Sequence, residues 1–147
     1  MQFTELTDQD RHLVDQAVEV SDRLYLKDIQ EVSAALQTAG GQVFTGIHFE
    51  ASTGFATVCG EVAAISCMVA AGHRDLETIV AVWRGPEGQH VVLPPCGRCR
   101  EVVSDFNLRA WVILSTAKDH WNDDAINHLA KVRVSDLLPL KSHELKS

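Results

Sequence analysis

The stretch VCGEVAAISCMVAA, residues 58–71, is Ala-rich, nearly all apolar and too long for a strand, and it runs into Gly72, a residue type that closes helices well. It reads as a buried central helix. Downstream, residues 76–83 (LETIVAVW) are β-branched and apolar on both parities, the pattern of an interior strand, until Arg84-Gly85-Pro86-Glu87-Gly88 breaks it. A short run at 90–93 leads into Pro94-Pro95, residues 97–106 read as a short helix, and 110–114 as a second buried strand. Upstream, residues 7–26 place Leu13, Val14, Ala17, Val18, Leu24 and Tyr25 at helical spacing behind a Thr7 or Asp8 cap. Residues 31–36 and 42–50 read as a strand pair around the turn Thr38-Ala39-Gly40-Gly41. Residues 117–130 are polar and irregular, and 131–140 read as a last strand with a terminal turn. Strands alternating with helices, without repeat or linker, predict a single α/β domain over residues 1–147 built on a layered sheet.

Composition narrows the partners. The 147 residues are 46% hydrophobic and 22% charged, which excludes a disordered or collagen-like chain. Thirteen Lys and Arg face twenty Asp and Glu, a net charge of −7, the wrong sign for holding a nucleic-acid backbone by counterion release. No apolar run is long enough for a membrane span and the first residues carry no signal-peptide pattern, so a cytoplasmic location is expected. In that setting the four cysteines serve metal or catalysis more readily than disulfides.

Three of those cysteines stand where helices are expected to begin: Cys59 ahead of Gly60-Glu61, and Cys96 with Cys99 in Pro95-Cys96-Gly97-Arg98-Cys99. A thiol at a helix N-terminus loses its proton more easily, and the thiolate is the form that binds metal. Two thiolates of a C-x-x-C turn and a third from the neighbouring helix leave one tetrahedral position open for water, the arrangement of a catalytic zinc. Glu61 would lie close to that water without ligating the ion. Cys67, two helical turns beyond Cys59 in an apolar run, is expected in the core.

The pairing of C-x-E with a later P-C-x-x-C resembles the zinc-dependent cytidine deaminases of the small, tetrameric type, with features closer to blasticidin S deaminase. The likeness extends over Ser33-Ala34-Ala35-Leu36, Phe44-Thr45-Gly46, Val112-Ile113-Leu114 and Val134-x-x-Leu137-Leu138-Pro139. It implies a three-layer fold, a mixed five-stranded sheet flanked by helices with the two zinc-bearing helices side by side. It also implies hydrolytic deamination of a cytidine-like aminopyrimidine with release of ammonia, with Zn²⁺ on Cys59, Cys96 and Cys99 activating water and Glu61 carrying protons. The implied partners are a small-molecule substrate and further copies of the chain in a homotetramer, with no nucleic acid polymer and no membrane.

Departures from the family pattern fall on the substrate side. Glu50 stands where the family places a sugar-binding Glu, but His48 replaces the Asn that assists it, Ala51 replaces the following Asn, and Gln30 falls where an aromatic packs on the pyrimidine. His48, Glu50 and Gln30 are therefore the expected substrate-binding residues. Near the metal, Gly60 replaces Ala, Val62 replaces the Arg that offsets thiolate charge, and Glu101 replaces Gln, which leaves helix dipoles with Arg98 or Arg100 to balance three thiolates on Zn²⁺. Trp83 and Trp111 are expected in the core of adjacent strands, and Trp121, among Asp119, His120, Asn122, Asp123 and Asp124, in a solvated acidic turn. His12, His73, His90, His128 and His143 have no spacing that singles them out. Two other readings use the same residues: a deaminase-fold zinc protein without activity, and a dithiol oxidoreductase on Cys96 and Cys99, which would leave Cys59 and Glu61 without a role.

Overall fold

The computed structural model describes residues 1–119, 121 and 126–142; His120, residues 122–125 and residues 143–147, His143 among them, lie outside it. The first helix, α1, spans Asp8–Leu24 and starts on a reciprocal cap, with the Thr7 hydroxyl accepting from the Asp10 N–H and the Asp10 carboxylate accepting from the Thr7 N–H. Two antiparallel strands follow, β1 (Val32–Thr38) and β2 (Val43–Ile47), joined by the expected turn with Gly41 at φ +89°. Helix α2 (Gly60–Ala70), strand β3 (Leu76–Arg84), strand β4 (His90–Leu93), helix α3 (Gly97–Phe106), strands β5 (Trp111–Ser115) and β6 (Leu129–Arg133) and the one-turn helix α4 (Val134–Leu137) complete the chain.

The sheet runs β2-β1-β3-β5-β6, with β4 paired to β3 beside that path. Only β3 and β5 pair in parallel. The sheet thus has six strands rather than the expected five. The additional one is the run at 90–93, which folds back on β3 because Gly88 turns at φ +86° and the Gly85 N–H bonds to the Gln89 carbonyl. The run expected as a strand over 131–140 leaves the sheet after Arg133, where the Val134 N–H bonds back to the Ala110 carbonyl and α4 begins.

Strand alternation divides the interior into two cores. Ala34, Leu36, Ile79, Val112 and Leu114 face α2, α3 and α4, packing with Ala64, Ile65, Met68, Val103 and Leu137. Ala35, Val80, Val82 and Ile113 face the other way, onto Leu13, Val14 and Ala17 of α1. This is the three-layer arrangement. A buried ion pair, Lys131 Nζ to Asp10 Oδ2 at 2.7 Å, ties β6 to the start of α1.

Several residues expected in the core are not there. Cys67 is exposed, with Ser66, Val69 and Ala70, because α2 is apolar on all sides while a single chain offers cover to only one of them. Trp83 and Trp111 do lie on adjacent strands, yet both are only half-buried, since each sits near a strand end among polar groups. The Trp83 indole N–H donates to the Glu31 carboxylate at 3.2 Å, and Trp111 lies beneath the Arg133 guanidinium at 3.4 Å. Trp121 is exposed and meets the Trp83 ring edge-on.

The fit of α2 on the sheet depends on Gly46. A β-carbon there would stand 2.3 Å from the Ala64 backbone nitrogen and 2.6 Å from the Gly60 carbonyl oxygen, so nothing larger than hydrogen separates β2 from the helix. Gly46→Ala is expected to cost about 2 kcal/mol or more by forcing the helix off the sheet, seen as a Tm lower by roughly 5 °C. Gly54→Ala, whose β-carbon would meet nothing within 4 Å, should stay within about 0.5 kcal/mol of the parent. Equal melting curves for the two variants would contradict this packing account.

Candidate active site

Two helix starts meet beside the β1 terminus. Cys59 is the N-cap of α2 and Cys96 the N-cap of α3, and Cys99 lies one turn into α3. The two loops arrive there for local reasons: the Phe49–Val58 bridge closes the segment before Cys59, and Pro94-Pro95 ends β4 and stops the chain from continuing in the sheet. Gly60 permits the close approach of α2 to β1, since a β-carbon there would stand 2.8 Å from the Val32 carbonyl oxygen.

The Sγ atoms of Cys59 and Cys96 are 3.6 Å apart and those of Cys96 and Cys99 are 3.5 Å apart, and all three lie within 4.8 Å of one another. Thiolates at tetrahedral angles around zinc, with Zn–S near 2.3 Å, are separated by about 3.8 Å, so the set fits that ion with little movement. All the cysteines are free thiols. Cys99 is buried while Cys59 and Cys96 are open on one side, and that side gives onto a cavity of about 160 Å³ lined by Val32, His48, Cys59, Gly60, Glu61, Leu93, Pro94 and Cys96. The open side of the three-cysteine cluster and Glu61 therefore share one cavity that a small molecule can enter.

Burial and mutual proximity set the three thiols apart from one another. Burial pushes the Cys99 and Cys59 thiols up, and neighbouring Glu61 and Cys96 add to the effect. Cys96 is held below the ordinary thiol value: burial pushes it up, but the Cys99 backbone N–H and the flanking thiols bond to its sulfur and outweigh that. Glu61 is 5% exposed on the first turn of α2, and burial raises its carboxyl above the ordinary range. Arg98 and Arg100 are engaged elsewhere. Arg98 donates to the carbonyls of Thr57 and Phe55, and Arg100 to those of Pro95 and Leu137, so both guanidiniums brace the loops around the cluster.

His48 and Glu50 are brought together just past the end of β2, not on the strand expected over 42–50. The His48 Nε2 and Glu50 Oε1 atoms are 2.7 Å apart, and the Thr57 hydroxyl donates to Glu50 Oε2 at 3.2 Å. These bonds hold the exposed Glu50 carboxyl below its ordinary value, His48 first and Thr57 second. Gln30 is placed otherwise: its amide donates to the Leu24 carbonyl at the end of α1, and Val32 of β1 lines the cavity. Thr57 and Glu31 join the site through hydrogen bonds that no spacing in the sequence announces.

Comparison with known proteins bears on the same residues. The model of the family described as the cytidine and deoxycytidylate deaminase zinc-binding region matches residues 7–115. Blasticidin-S deaminase of Bacillus cereus is 35% identical over 146 residues, covering 96% of this chain and 97% of that protein. Cytidine deaminase of Mycoplasma genitalium is 31% identical over 74 residues, half of this chain and 55% of that one. The crystal structure of cytidine deaminase from Burkholderia pseudomallei superposes with a TM-score of 0.70 at 26% identity, covering 92% of this chain and 98% of that one. That of Bacillus anthracis, at 17% identity and a TM-score of 0.71, shares the fold. Three thiols gathered at two helix starts, a buried glutamic acid beside them and a family match across both motifs leave one assignment: the chain belongs to the zinc-binding cytidine and deoxycytidylate deaminase family.

Proposed function

We propose that the chain works as one deaminase domain in which Cys59, Cys96 and Cys99 hold a catalytic zinc, Glu61 moves protons, and a cytidine-like aminopyrimidine enters the cavity over them. The observation that carries this reading is the Glu61 carboxyl, buried at the mouth of a three-thiol cluster with an open side. Zinc, when bound, supplies a water of lowered pKa as nucleophile. Glu61 would take one proton from the attacking water and place it on ring N3, then take the second from the hydroxyl added to the ring carbon and hand it to the exocyclic amine, so that the C–N bond breaks, ammonia leaves and the water oxygen stays as the product carbonyl. Burial suits Glu61 to both directions, since a raised carboxyl pKa makes proton uptake easier near neutrality. The apolar walls Val32, Leu93 and Pro94 exclude water from the ring, and the Glu50 carboxylate accepts donors from the distal part of the substrate.

The family's substrate side is altered at Ala51, His48 and Gln30, and the Gln30 amide is spent on Leu24. Together with the likeness to a blasticidin-S deaminase over nearly the whole chain, this supports an enzyme that acts poorly on plain cytidine and better on a base-modified, sugar-modified or free-base relative. The assembly we propose is a homotetramer, formed on the exposed apolar face of α2 around Val69 and on the rim residues Leu26, Ile29, Phe49 and Phe55. No described helix is long and apolar enough to cross a membrane, and the place of action proposed is the cytoplasm.

Four measurements test this reading. Metal analysis should find about one zinc per chain, and the double variant Cys96→Ser, Cys99→Ser should lose it; full retention by the double variant would remove the ligand assignment. Glu61→Gln should keep fold and zinc but lose at least about 100-fold in kcat, and wild-type turnover by this variant would end the role given to Glu61. Light scattering at micromolar concentration should give four times the chain mass, against which a monomer mass would count. Cytidine turned over with kcat/KM above about 10⁵ M⁻¹s⁻¹ would show that the altered substrate side does not weaken plain cytidine as a substrate.

A further inference from the structure

His48 touches three features that together determine its chemical state. Its Nδ1 lies 3.2 Å from the Glu31 backbone nitrogen, and a backbone N–H can only donate, so Nδ1 must carry its lone pair. The neutral ring then has its proton on Nε2, 2.7 Å from Glu50 Oε1, where it can only donate to the carboxylate. The side chain is 14% exposed, and the His48 backbone N–H donates to the Val32 carbonyl, which anchors the residue beside β1.

Glu31 is fixed in turn. One oxygen of its carboxylate accepts from the Asp28 N–H at 2.8 Å and the other from the Trp83 indole at 3.2 Å, while its carbonyl accepts from the Arg84 N–H at the end of β3. Asp28 sits at φ +63°, which makes the turn ahead of Glu31 a specified conformation. The Glu31 N–H is thereby aimed by the sheet, and through the imidazole the sheet also orients Glu50. On the far side, the Thr57 hydroxyl donates to the remaining Glu50 oxygen and accepts from the Ala51 N–H.

Resting on the functional reading above, we infer that His48 is a positioning residue for the deamination site. The Glu31 N–H locks it as the Nε2-protonated tautomer, and that proton holds Glu50 in place for the sugar or other distal part of the substrate. The carboxylate is then ordered before substrate arrives, and binding does not have to immobilise it. The role acts through Glu50, so it shows first in KM for substrates with a distal part.

Two variants divide the imidazole's functions. Phe keeps the bulk of the ring but can neither accept from the Glu31 N–H nor donate to Glu50; Gln reaches the Nε2 position and can donate to Glu50. Zinc-loaded enzyme is assayed for ammonia release from cytidine, from blasticidin S and from the free base cytosine. For whichever of the first two the wild type turns over, His48→Phe should raise KM about tenfold or more with a smaller change in kcat, and His48→Gln should recover most of that loss; KM for cytosine, which has no distal part, should rise less. Long-range proton–nitrogen NMR of the wild type should show His48 with a protonated Nε2 and a bare Nδ1, with or without substrate. An Nδ1-protonated ring, equal effects of the two variants, or a loss confined to kcat would overturn the inference while leaving the deaminase standing. A wild-type enzyme that releases ammonia from none of the three overturns the functional reading and this inference with it.

Discussion

The closeness of α2 to the sheet is the constraint on which the site depends. Gly46 on β2 and Gly60 at the start of α2 both face backbone atoms at distances no β-carbon tolerates, 2.3 Å from the Ala64 nitrogen in one case and 2.8 Å from the Val32 oxygen in the other. With the helix seated so deeply, its start brings Cys59 and Glu61 to the cavity that Val32 of β1 and His48, just past β2, also line. A helix displaced by the width of a methyl group would carry Cys59 away from Cys96 and Cys99, which are fixed independently by α3. Packing of two glycines therefore comes before the chemistry of three cysteines.

Charge is arranged around that geometry with few spare cations. The residue after Glu61 is the uncharged Val62, and Arg98 and Arg100 bind backbone carbonyls. Arg98 lies between the two cysteines of the α3 turn and grips the carbonyls of Phe55 and Thr57, so the metal-ligating turn and the loop that presents Glu50 are joined by one side chain. The N-termini of α2 and α3, where Cys59 and Cys96 are the N-cap residues, are left to favour an ionised cluster. The arginines beside the cluster serve as braces.

Much of this was legible in the sequence because it depends on spacing. Cys59-x-Glu61 and Cys96-x-x-Cys99 specify a helical turn each, and the strand and helix patterns around them place both turns at the same end of a layered sheet. What spacing could not show was coverage. Cys67 and the two tryptophans are apolar residues in apolar runs, yet whether a neighbour lies over them depends on the third dimension, and α2 has a partner on one side only. The strand at His90–Leu93 was hidden by its brevity, being drawn into the sheet by the Gly88 turn and not by its own pattern. Gln30 shows the same limit from the other direction: an amide that the family resemblance puts at the base ring donates locally to the Leu24 carbonyl. The Glu31–His48–Glu50 chain joins residues whose partners are set by a side chain's reach across the hairpin, a relation carried by no motif.

The account stands on metal-dependent deamination at the Cys59, Cys96, Cys99 and Glu61 cluster. The most direct measurement is ammonia release across a panel of aminopyrimidine nucleosides, bases and blasticidin S, made on the zinc-loaded protein, after stripping with a chelator, and after zinc is restored. The account predicts release from at least one compound, its loss on stripping in proportion to the zinc removed, and its return with one zinc per chain. Folded, zinc-replete protein that releases no ammonia from any of them, or release that persists unchanged once the metal is gone, would contradict it.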